Sequence, residues 1–160
     1  MTAKIVEASI VHAGVISVLH GACFEEIWNE KSISEVLNMA GMTGLLIGDS
    51  VEAPQGFILF RTAADEAEII SIGVIPVARK NGLARMLLRA SIKGAARRGA
   101  AKIFFEVAVD NIVARAFYET AGFEVIGKRP EYYNRSRGRL DAIIYSLNIS
   151  DKYNSGPTDQ

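Results

Sequence analysis

Short apolar runs separated by turn-forming residues predict several β-strands along the chain. Lys4–Ala8 has the alternation of a first strand, and the runs Gly44–Gly48 and Gly56–Phe60 flank a segment rich in Asp, Ser and Pro. This arrangement is typical of an antiparallel hairpin. Further strands are predicted over Ala67–Val74, over Lys102–Val109, from Phe123 onward and over Leu140–Leu147.

Apolar residues at helical spacing predict four helices between these strands. They are predicted over His12–Phe24, Ser32–Met39, Gly82–Gly99 and Asn111–Tyr118. Ser32 with Glu35 three residues later has the pattern of a capping box, and Asn111 is a favoured N-cap. Gly99 and Gly122 are placed to end the third and fourth helices.

The order βααβββαβαββ predicts an α/β fold in which a mixed sheet lies between helices. Trp28 falls in the predicted loop between the first two helices, and the run KRPEYYNRSRGR after Gly127 is predicted to be a loop. A chain of 160 residues suits one compact domain. We expect that domain to span residues 1–149, and residues 150–160 to be a disordered tail.

Composition and charge limit the kinds of protein to which this chain can belong. Hydrophobic residues make up 49% and charged residues 22% of the chain, as in ordinary globular proteins. Eighteen basic residues balance eighteen acidic ones, so no net positive field attracts nucleic acid. No apolar stretch is long enough to cross a membrane, and His12 and His20 lack companions for a metal site. One cysteine and no signal-like N-terminus favour a cytoplasmic location.

The segment between the strand ending at Val74 and the third helix has the form of an anion cradle. The first N–H groups of a helix lack internal partners and carry partial positive charge, so a phosphate is stabilised there. The candidate phosphate-binding residues are Arg79, Lys80, Asn81, Gly82, Leu83, Ala84 and Arg85. Taken alone, R-x-x-G-x-A is equally compatible with an ordinary helix start, and the later basic residues of this helix are expected to be a solvated face.

Two longer stretches resemble a known family. VIPVARKNGLARMLL resembles motif A of the GNAT acetyltransferase superfamily, and FFEVAVDNIVARAFYETAGFEVIGKRPEYY resembles the bacterial ribosomal-protein-alanine N-acetyltransferases. The resemblance runs from about Glu66 to Leu147. It departs at Ala84, where a second Gly is commoner, at Leu140, where an acidic residue is frequent, and at Gly73, where Ala is usual.

This resemblance implies a GNAT-like fold, with a mixed, mostly antiparallel sheet of about seven strands flanked by about four helices. It implies acetyl-CoA as cosubstrate and a protein N-terminal amine as acceptor, with the N-terminal alanine of a small-subunit ribosomal protein as the expected partner. Monomer or weak homodimer is the expected assembly. It also implies that the N–H groups of Ile72, Gly73 and Val74 bind the cofactor and stabilise the oxyanion.

Glu106 and Tyr118 are the candidate catalytic residues. A carboxylate in the middle of an apolar strand needs a cavity or a partner, unless it faces solvent. The resemblance assigns Glu106 as general base for the amine and Tyr118 as general acid for the departing thiolate; the alternative for Tyr118 is a core aromatic, as expected for Phe117. Asn111 is implied to contact the cofactor, with helix capping as its alternative role.

Large aromatic residues lie in predicted loops, where they are less expected to be part of the core. The resemblance implies that Trp28, Tyr132 and Tyr133 surround the incoming peptide. Cys23 has no activating neighbour in the sequence, which favours direct transfer in a ternary complex. Two other functions stay open: a GNAT enzyme for a small-molecule amine, and a non-catalytic acyl-CoA-binding module, although the presence of both Glu106 and Tyr118 favours an enzyme.

Overall fold

The protein is described by a computed structural model that covers residues 3–50, 52–135 and 138–149. The predicted disordered tail, residues 150–160, lies outside these ranges. The elements in chain order are β1 (Lys4–Ala8), α1 (Ala13–Cys23), α2 (Glu30–Leu37), β2 (Met42–Gly48), β3 (Gly56–Ala63), β4 (Glu66–Val74), α3 (Leu83–Arg97), β5 (Lys102–Ala108), α4 (Ile112–Thr120), β6 (Glu124–Arg135) and β7 (Gly138–Asn148). Single 3₁₀ turns precede α1 (Ile10–His12) and α3 (Pro76–Ala78).

The seven strands form a single sheet in the order β1-β2-β3-β4-β5-β7-β6. The pair β4–β5 is parallel, because α3 carries the chain back between them, and the other five pairs are antiparallel. This confirms the predicted mixed, mostly antiparallel α/β architecture.

Two apolar cores cover the two faces of the sheet. The larger core packs α3 and α4 on one face, here called the α3 face, with Leu87 and Ile92 of α3 against Ile58 and Ile103. The smaller core packs α1 and α2 on the opposite face, here called the α1 face, with Ile16 as one of its buried residues. Both helices α1 and α2 therefore lie on the side of the sheet away from α3.

A β-bulge in β4 changes which face its residues point to. Leu59 of β3 pairs with Ser71 whereas Phe60 pairs with Ile69, so Ile70 is an extra residue in the ladder. Ile70 packs in the α1-face core, while Ile69 and Ile72 both pack on the α3 face. The bulge thus resets the alternation of β4 just before the residues expected to meet the cofactor.

Two sequence predictions are wrong. The N-cap of α2 is Asn29, whose side chain accepts the Ser32 N–H at 2.9 Å; Ser32 lies inside the helix and does not cap it. The polar run after Gly127 continues β6 to Arg135 and begins β7 at Gly138, so it is a long hairpin and not a loop. Polar side chains are compatible with β-structure here because β6 is an edge strand that faces solvent.

Candidate active site

The parallel strands β4 and β5 separate after a short contact. They pair over only three residues, from Glu66 with Lys102 to Glu68 with Phe104. Beyond that point, within the described residues, β4 pairs only with β3 and β5 only with β7. The carboxyl-terminal halves of β4 and β5 therefore leave a gap in the sheet, lined on both sides by strand edges.

The backbone of β4 offers hydrogen-bond donors to this gap. The N–H of Ile75 donates to the carbonyl oxygen of Gln55 at 2.9 Å, on the β3 side. Because N–H groups alternate in direction along an antiparallel strand, Gly73 also points its N–H toward β3. The N–H groups of Ile72 and Val74 then face the gap, which removes Gly73 from the three predicted donors.

The turn before α3 has the geometry of an anion cradle. Gly82 precedes the helix in the left-handed region with φ of 79°, and Lys80 is also left-handed with φ of 66°. Within the described residues, the N–H groups of residues 80–84 donate no hydrogen bond. A left-handed lysine is strained, and such strain is typical of ligand-binding turns. These N–H groups are free to bind an anion at the positive end of α3.

Side-chain hydrogen bonds and the burial of Leu83 fix the position of this turn. Arg79 donates from Nε to the carbonyl oxygen of Val74 at 2.9 Å, and Asn81 donates from Nδ2 to that of Ala78 at 3.2 Å. Leu83 is buried in the α3-face core. Arg79 and Asn81, predicted as phosphate ligands, therefore have structural contacts as well.

The basic residues of α3 are exposed at different distances from the cradle. Arg85 lies in the first turn of the helix, at the cradle, and is exposed. Arg89, Lys93 and Arg97 are exposed farther along the same helix. These three residues form a solvated face of α3, whereas Arg85 and the half-buried Ala84 belong to its first turn.

Tyr118 places an unpaired hydroxyl in the protein interior. The side chain is 1% exposed and packs against Phe105 with ring centroids 4.7 Å apart, and against Phe123 at 5.3 Å. Its hydroxyl has no hydrogen-bond partner among the described residues. Burial raises the pKa of Tyr118 strongly, with a smaller contribution from Tyr133, so the phenol is a proton donor and not a phenolate at neutral pH.

Glu106 lies on the α1 face of β5. Phe105 and Val107 on either side of it pack on the α3 face, so the alternation of the strand directs the Glu106 carboxylate the other way. Its side chain is only 12% exposed, and its Oε1 forms an ion pair with Arg129, 2.9 Å from Nε. The Tyr133 hydroxyl donates to the Glu106 carbonyl oxygen at 3.1 Å. Glu106 is thus held in a polar site and does not extend into bulk solvent.

Arg129 and the tyrosine pair belong to a wide bulge in β6. Arg129 pairs with Ala142 and Tyr133 with Leu140, so β6 carries two more residues than β7 between these pairs. Tyr132 is 52% exposed, and the Arg129 guanidinium lies 5.4 Å from the centroid of its ring. The bulge brings Arg129 and Tyr133 to Glu106 from the outer hairpin.

Asp141 stabilises this bulge from β7. Its Oδ1 accepts a hydrogen bond from the N–H of Glu131 at 2.8 Å, and its Oδ2 lies 2.9 Å from Nζ of Lys128. Glu131 has a left-handed backbone conformation with φ of 53°. The backbone hydrogen bond, followed by the contact with Lys128, lowers the pKa of Asp141. The carboxylate is therefore ionised at neutral pH and holds the bulged backbone in its unusual conformation.

Trp28 packs against helix α1. Its ring stacks on His20, with centroids 4.6 Å apart and planes 12° from parallel, and its carbonyl oxygen accepts from Oγ of Ser17 at 2.7 Å. Burial lowers the pKa of His20, opposed by Glu26, so the stacked imidazole is neutral at pH 7. Trp28 is half-buried on the α1 face, the same side of the sheet as Glu106.

Cys23 and Asn111 have clear structural roles. A Cβ on Gly73 would lie 2.9 Å from the Cys23 sulfur, so these two residues are in close contact. Burial raises the pKa of the Cys23 thiol, opposed by Arg79, which keeps the thiol protonated and a poor nucleophile. Asn111 is the N-cap of α4, its side chain accepting the Ala114 N–H at 3.1 Å.

Neither a membrane-spanning helix nor a cluster of metal-ligating residues is found in the described ranges. None of the helices there is long and apolar enough to span a bilayer. The described His, Cys, Asp and Glu residues form no group of three that could bind a metal ion.

The sequence interpretation missed two residues of this site. Glu68 follows the same rule as Glu106, being a carboxylate in an apolar strand, and it faces the α1 face beside Phe104. Arg129 was assigned to a loop, so its contact with Glu106 could not be anticipated. The charge inside EAEIISIGV was the available signal for Glu68.

Known proteins resemble this chain in both sequence and fold. The [Ribosomal protein bS18]-alanine N-acetyltransferase of Escherichia coli strain K12 is 39% identical over 94 residues, which are 59% of this chain and 64% of that protein. The crystal structure of the ribosomal-protein-S18-alanine N-acetyltransferase from Escherichia coli matches with a TM-score of 0.85 at 26% identity, over 99% of each chain. The sequence match to the strain K12 protein thus spans less than two thirds of that protein's length, whereas the structural match covers 99% of both chains.

A more distant structure shares the fold alone. Arabidopsis thaliana NAA60 in complex with acetyl-CoA matches with a TM-score of 0.82 at 14% identity, over 92% of this chain and 99% of that one.

The sequence profile of the acetyltransferase (GNAT) family matches residues 15–123, which include the gap, the cradle, Glu106 and Tyr118. The chain belongs to the acetyltransferase (GNAT) family.

Proposed function

We propose that the protein is an acetyl-CoA-dependent N-acetyltransferase that acts on a protein N-terminal amine. The acceptor we propose is the N-terminal alanine of a small-subunit ribosomal protein, in the cytoplasm, with direct transfer in a ternary complex by a monomer or weak homodimer. The observation that carries the proposal is the gap between β4 and β5, which has Tyr118 packed on the α3 face and Glu106 on the α1 face.

The free groups of the site suit acetyl-CoA. The N–H groups of residues 80–84 lie at the positive end of α3 and have no protein acceptor among the described residues, so a pyrophosphate can accept hydrogen bonds from them. The Tyr118 hydroxyl is buried without a partner, and a ligand atom in the gap would provide one. When bound, acetyl-CoA supplies an activated acetyl thioester.

Each proposed catalytic residue has a defined task. The carboxylate of Glu106 takes a proton from the acceptor ammonium, directly or through water, because an α-amine with a pKa of about 8 is mostly protonated at neutral pH. The N–H groups of Ile72 and Val74 stabilise the negative charge that develops on the acetyl carbonyl oxygen. The Tyr118 hydroxyl gives its proton to the departing sulfur.

The acceptor assignment is supported by the relatives and by the open side of the sheet. The Escherichia coli protein that matches 94 residues of this chain is named for the alanine N-terminus of ribosomal protein bS18. On the α1 face, the β6 bulge contacts Glu106 through Arg129 and Tyr133, and it also carries the exposed ring of Tyr132. The half-buried ring of Trp28 packs on the same face of the sheet. Rings at such positions suit a short peptide segment.

The test is acetyl transfer to a panel of acceptors, followed by mass spectrometry of each product. The panel contains a ten-residue peptide that begins with the alanine end of bS18, the same peptide with a blocked N-terminus and an internal lysine, and a polyamine. We expect one acetyl group on the α-amine of the first peptide alone. The Glu106→Gln variant should lose most of this turnover, whereas Glu124→Gln, at an exposed position of β6, should retain it.

The panel also separates the competing functions. Acetylation of the polyamine but not of the peptide would replace the proposed acceptor with a small amine. Tight acetyl-CoA binding without transfer to any amine would contradict the enzyme and favour a cofactor-binding module. Acetylation of the blocked peptide would indicate a lysine acetyltransferase.

A further inference from the structure

Glu68 and Glu106 lie near each other at the start of the gap. Glu68 is the last residue of β4 that pairs with β5, and its partner is Phe104. Paired residues share a face, and Glu106 is two residues beyond Phe104, so both carboxylates point to the α1 face in a diagonal arrangement. The strands separate directly beyond Glu68, which leaves this pair at the edge of the opening.

Arg129 is the cation that these carboxylates now share. It forms an ion pair with Glu106 at 2.9 Å and also acts electrostatically on Glu68. Its side chain is 55% exposed and its position on the bulge is open to solvent. The arrangement therefore holds a positive group at the mouth of the gap, and that group can leave toward solvent.

Glu68 has no ion pair of its own among the described residues. Arg61 lies opposite it on β3, but the Arg61 Nε donates to the Ala40 carbonyl oxygen at 3.2 Å. Burial, followed by the nearby Glu106, raises the pKa of Glu68, and Arg129 and Arg61 oppose this. A half-buried carboxylate next to a second one is costly, unless a cation binds between them.

We propose that Glu68 is an acceptor-binding residue, which holds the protonated α-amino group together with Glu106, and that Arg129 occupies this place until the acceptor enters. This inference rests on the proposed transfer to an N-terminal amine. An ammonium is compact and has three donors, so it can donate hydrogen bonds to both carboxylates at once. The single Arg129 Nε contact reaches Glu106 alone. Glu68 then positions the amine for Glu106, which takes the proton.

The first test compares Glu68→Gln with Glu66→Gln. Glu66 lies two residues earlier on β4 in a half-exposed ion pair with Lys102 at 3.1 Å, so its loss should change little. We expect Glu68→Gln to raise the KM for the alanine peptide about tenfold, the size of one lost charge-assisted hydrogen bond. The KM for acetyl-CoA and the kcat should stay within about twofold of the wild type.

A peptide without its α-amino group shows whether the effect belongs to the amine. The desamino peptide should inhibit the wild type and Glu68→Gln equally, since it has no ammonium for Glu68 to bind. An equal loss of affinity for both peptides would overturn the proposal and assign Glu68 a structural role. So would equal kinetics for Glu68→Gln and Glu66→Gln. A wild type that transfers acetyl to no peptide would instead reject the proposed function.

Arg129→Gln gives an independent measurement that does not require any change at Glu68. Removal of the competing cation should tighten binding of the alanine peptide to the CoA-bound protein by about threefold or more, measured by calorimetry. The desamino peptide should bind this variant as it binds the wild type. Weaker binding of the alanine peptide to Arg129→Gln would show that Arg129 is a ligand of the peptide and would contradict the exchange.

Discussion

The buried hydroxyl of Tyr118 is costly for the folded protein. A buried polar group without a hydrogen bond destabilises a protein by about 1–3 kcal/mol relative to an apolar group of the same shape. The ring itself is well packed between Phe105 and Phe123. The hydroxyl is therefore the part of this residue that packing does not explain, and its chemical role can be separated from its structural one.

We predict that Tyr118→Phe loses activity without losing stability. The kcat for acetyl transfer should fall about 10²-fold or more, since a general acid contributes roughly 10²–10⁴-fold. The melting temperature should stay the same or rise, because the variant removes only an unsatisfied oxygen. Steady-state kinetics and thermal unfolding of the same preparation test both parts.

Tyr145→Phe is the matched control for this prediction. Its ring is equally buried, but its hydroxyl donates to Glu119 at 2.8 Å and accepts from Arg115 at 3.1 Å. We expect this variant to lose about 1–2 kcal/mol of stability and to keep its kcat. A Tyr118→Phe enzyme with normal turnover would remove the hydroxyl from the mechanism.

Gly82 and Gly99 allow the cradle to be tested against a position with the same backbone constraint. Both have positive φ, 79° and 92°, at opposite ends of α3, and a Cβ at either would meet no protein atom within 4 Å. We predict that Gly82→Ala and Gly99→Ala each lose about 1–2 kcal/mol of stability from the left-handed conformation. Only Gly82→Ala should weaken acetyl-CoA binding, by about tenfold, measured by calorimetry. Equal affinities would mean that the pyrophosphate lies elsewhere.

Strand β4 and helix α1 are tightly packed where Gly73 contacts Cys23. A Cβ on Gly73 would lie 2.9 Å from the Cys23 sulfur and 3.0 Å from the ring of Phe57. The small residue on the strand and the medium-sized one on the helix are therefore matched in volume. Such matched pairs are expected where an element must approach closely.

We predict that Gly73→Ala costs about 1–3 kcal/mol of stability through overpacking. In a Cys23→Ala background the same substitution should cost at least about 1 kcal/mol less, because the sulfur is the nearest clashing atom. A double-mutant cycle in chemical denaturation measures the coupling. Additive effects would contradict a direct contact and point to Phe57 as the cause.

Most elements could be predicted from periodicity, and the exceptions have physical reasons. The strands β1 to β5 and the helices α1, α3 and α4 carry clear apolar patterns, and the Asn111 cap is local in sequence. The start of β6 and most of β7 are predicted correctly, but their extension through residues 128–135 and 138–139 is not. That extension is held by pairing between β6 and β7 and by Asp141, and neither requires apolar residues. The capping-box pattern favours Ser32 as the cap of α2, but Asn29 lies three residues earlier and is an equally good cap.

The whole sheet consists of two antiparallel blocks that meet at β4 and β5. A cofactor arm inserted in the gap would contact both blocks. We predict that acetyl-CoA slows amide hydrogen exchange at Ile72 and Val74 as well as at residues 80–84, because all these N–H groups are free in the structure and would be bonded in the complex. Exchange measured by nuclear magnetic resonance with and without the cofactor resolves these sites.

Adenosine diphosphate serves as the control ligand, since it has a pyrophosphate but no thioester arm. It should protect residues 80–84 and leave Ile72 and Val74 unchanged. Protection of Ile72 by adenosine diphosphate would show that the effect spreads through the sheet and is not a direct contact with the arm. Protection of Gly73 in place of its neighbours would contradict the strand alignment given above.

The candidate site was predictable where it is continuous in sequence. The cradle, Glu106 and Tyr118 lie within forty residues and carry recognisable motifs. The sequence could not indicate that β4 and β5 separate after three pairs, nor that Arg129 reaches Glu106, because both depend on tertiary pairing. Glu68 could have been found by the argument used for Glu106, since it too is a charge in an apolar strand.

The brief contact between β4 and β5 also affects how much sequence change the protein tolerates. A shift in strand alignment passes from strand to strand through continuous hydrogen-bond ladders. Within the described residues, the strand ladder joins the block β1–β4 to the block β5–β7–β6 through three residue pairs, all between β4 and β5. Insertions or realignments in the outer β6–β7 hairpin can therefore arise without moving β4 or the turn at Gly82, so the acceptor side can diversify while the anion cradle stays the same.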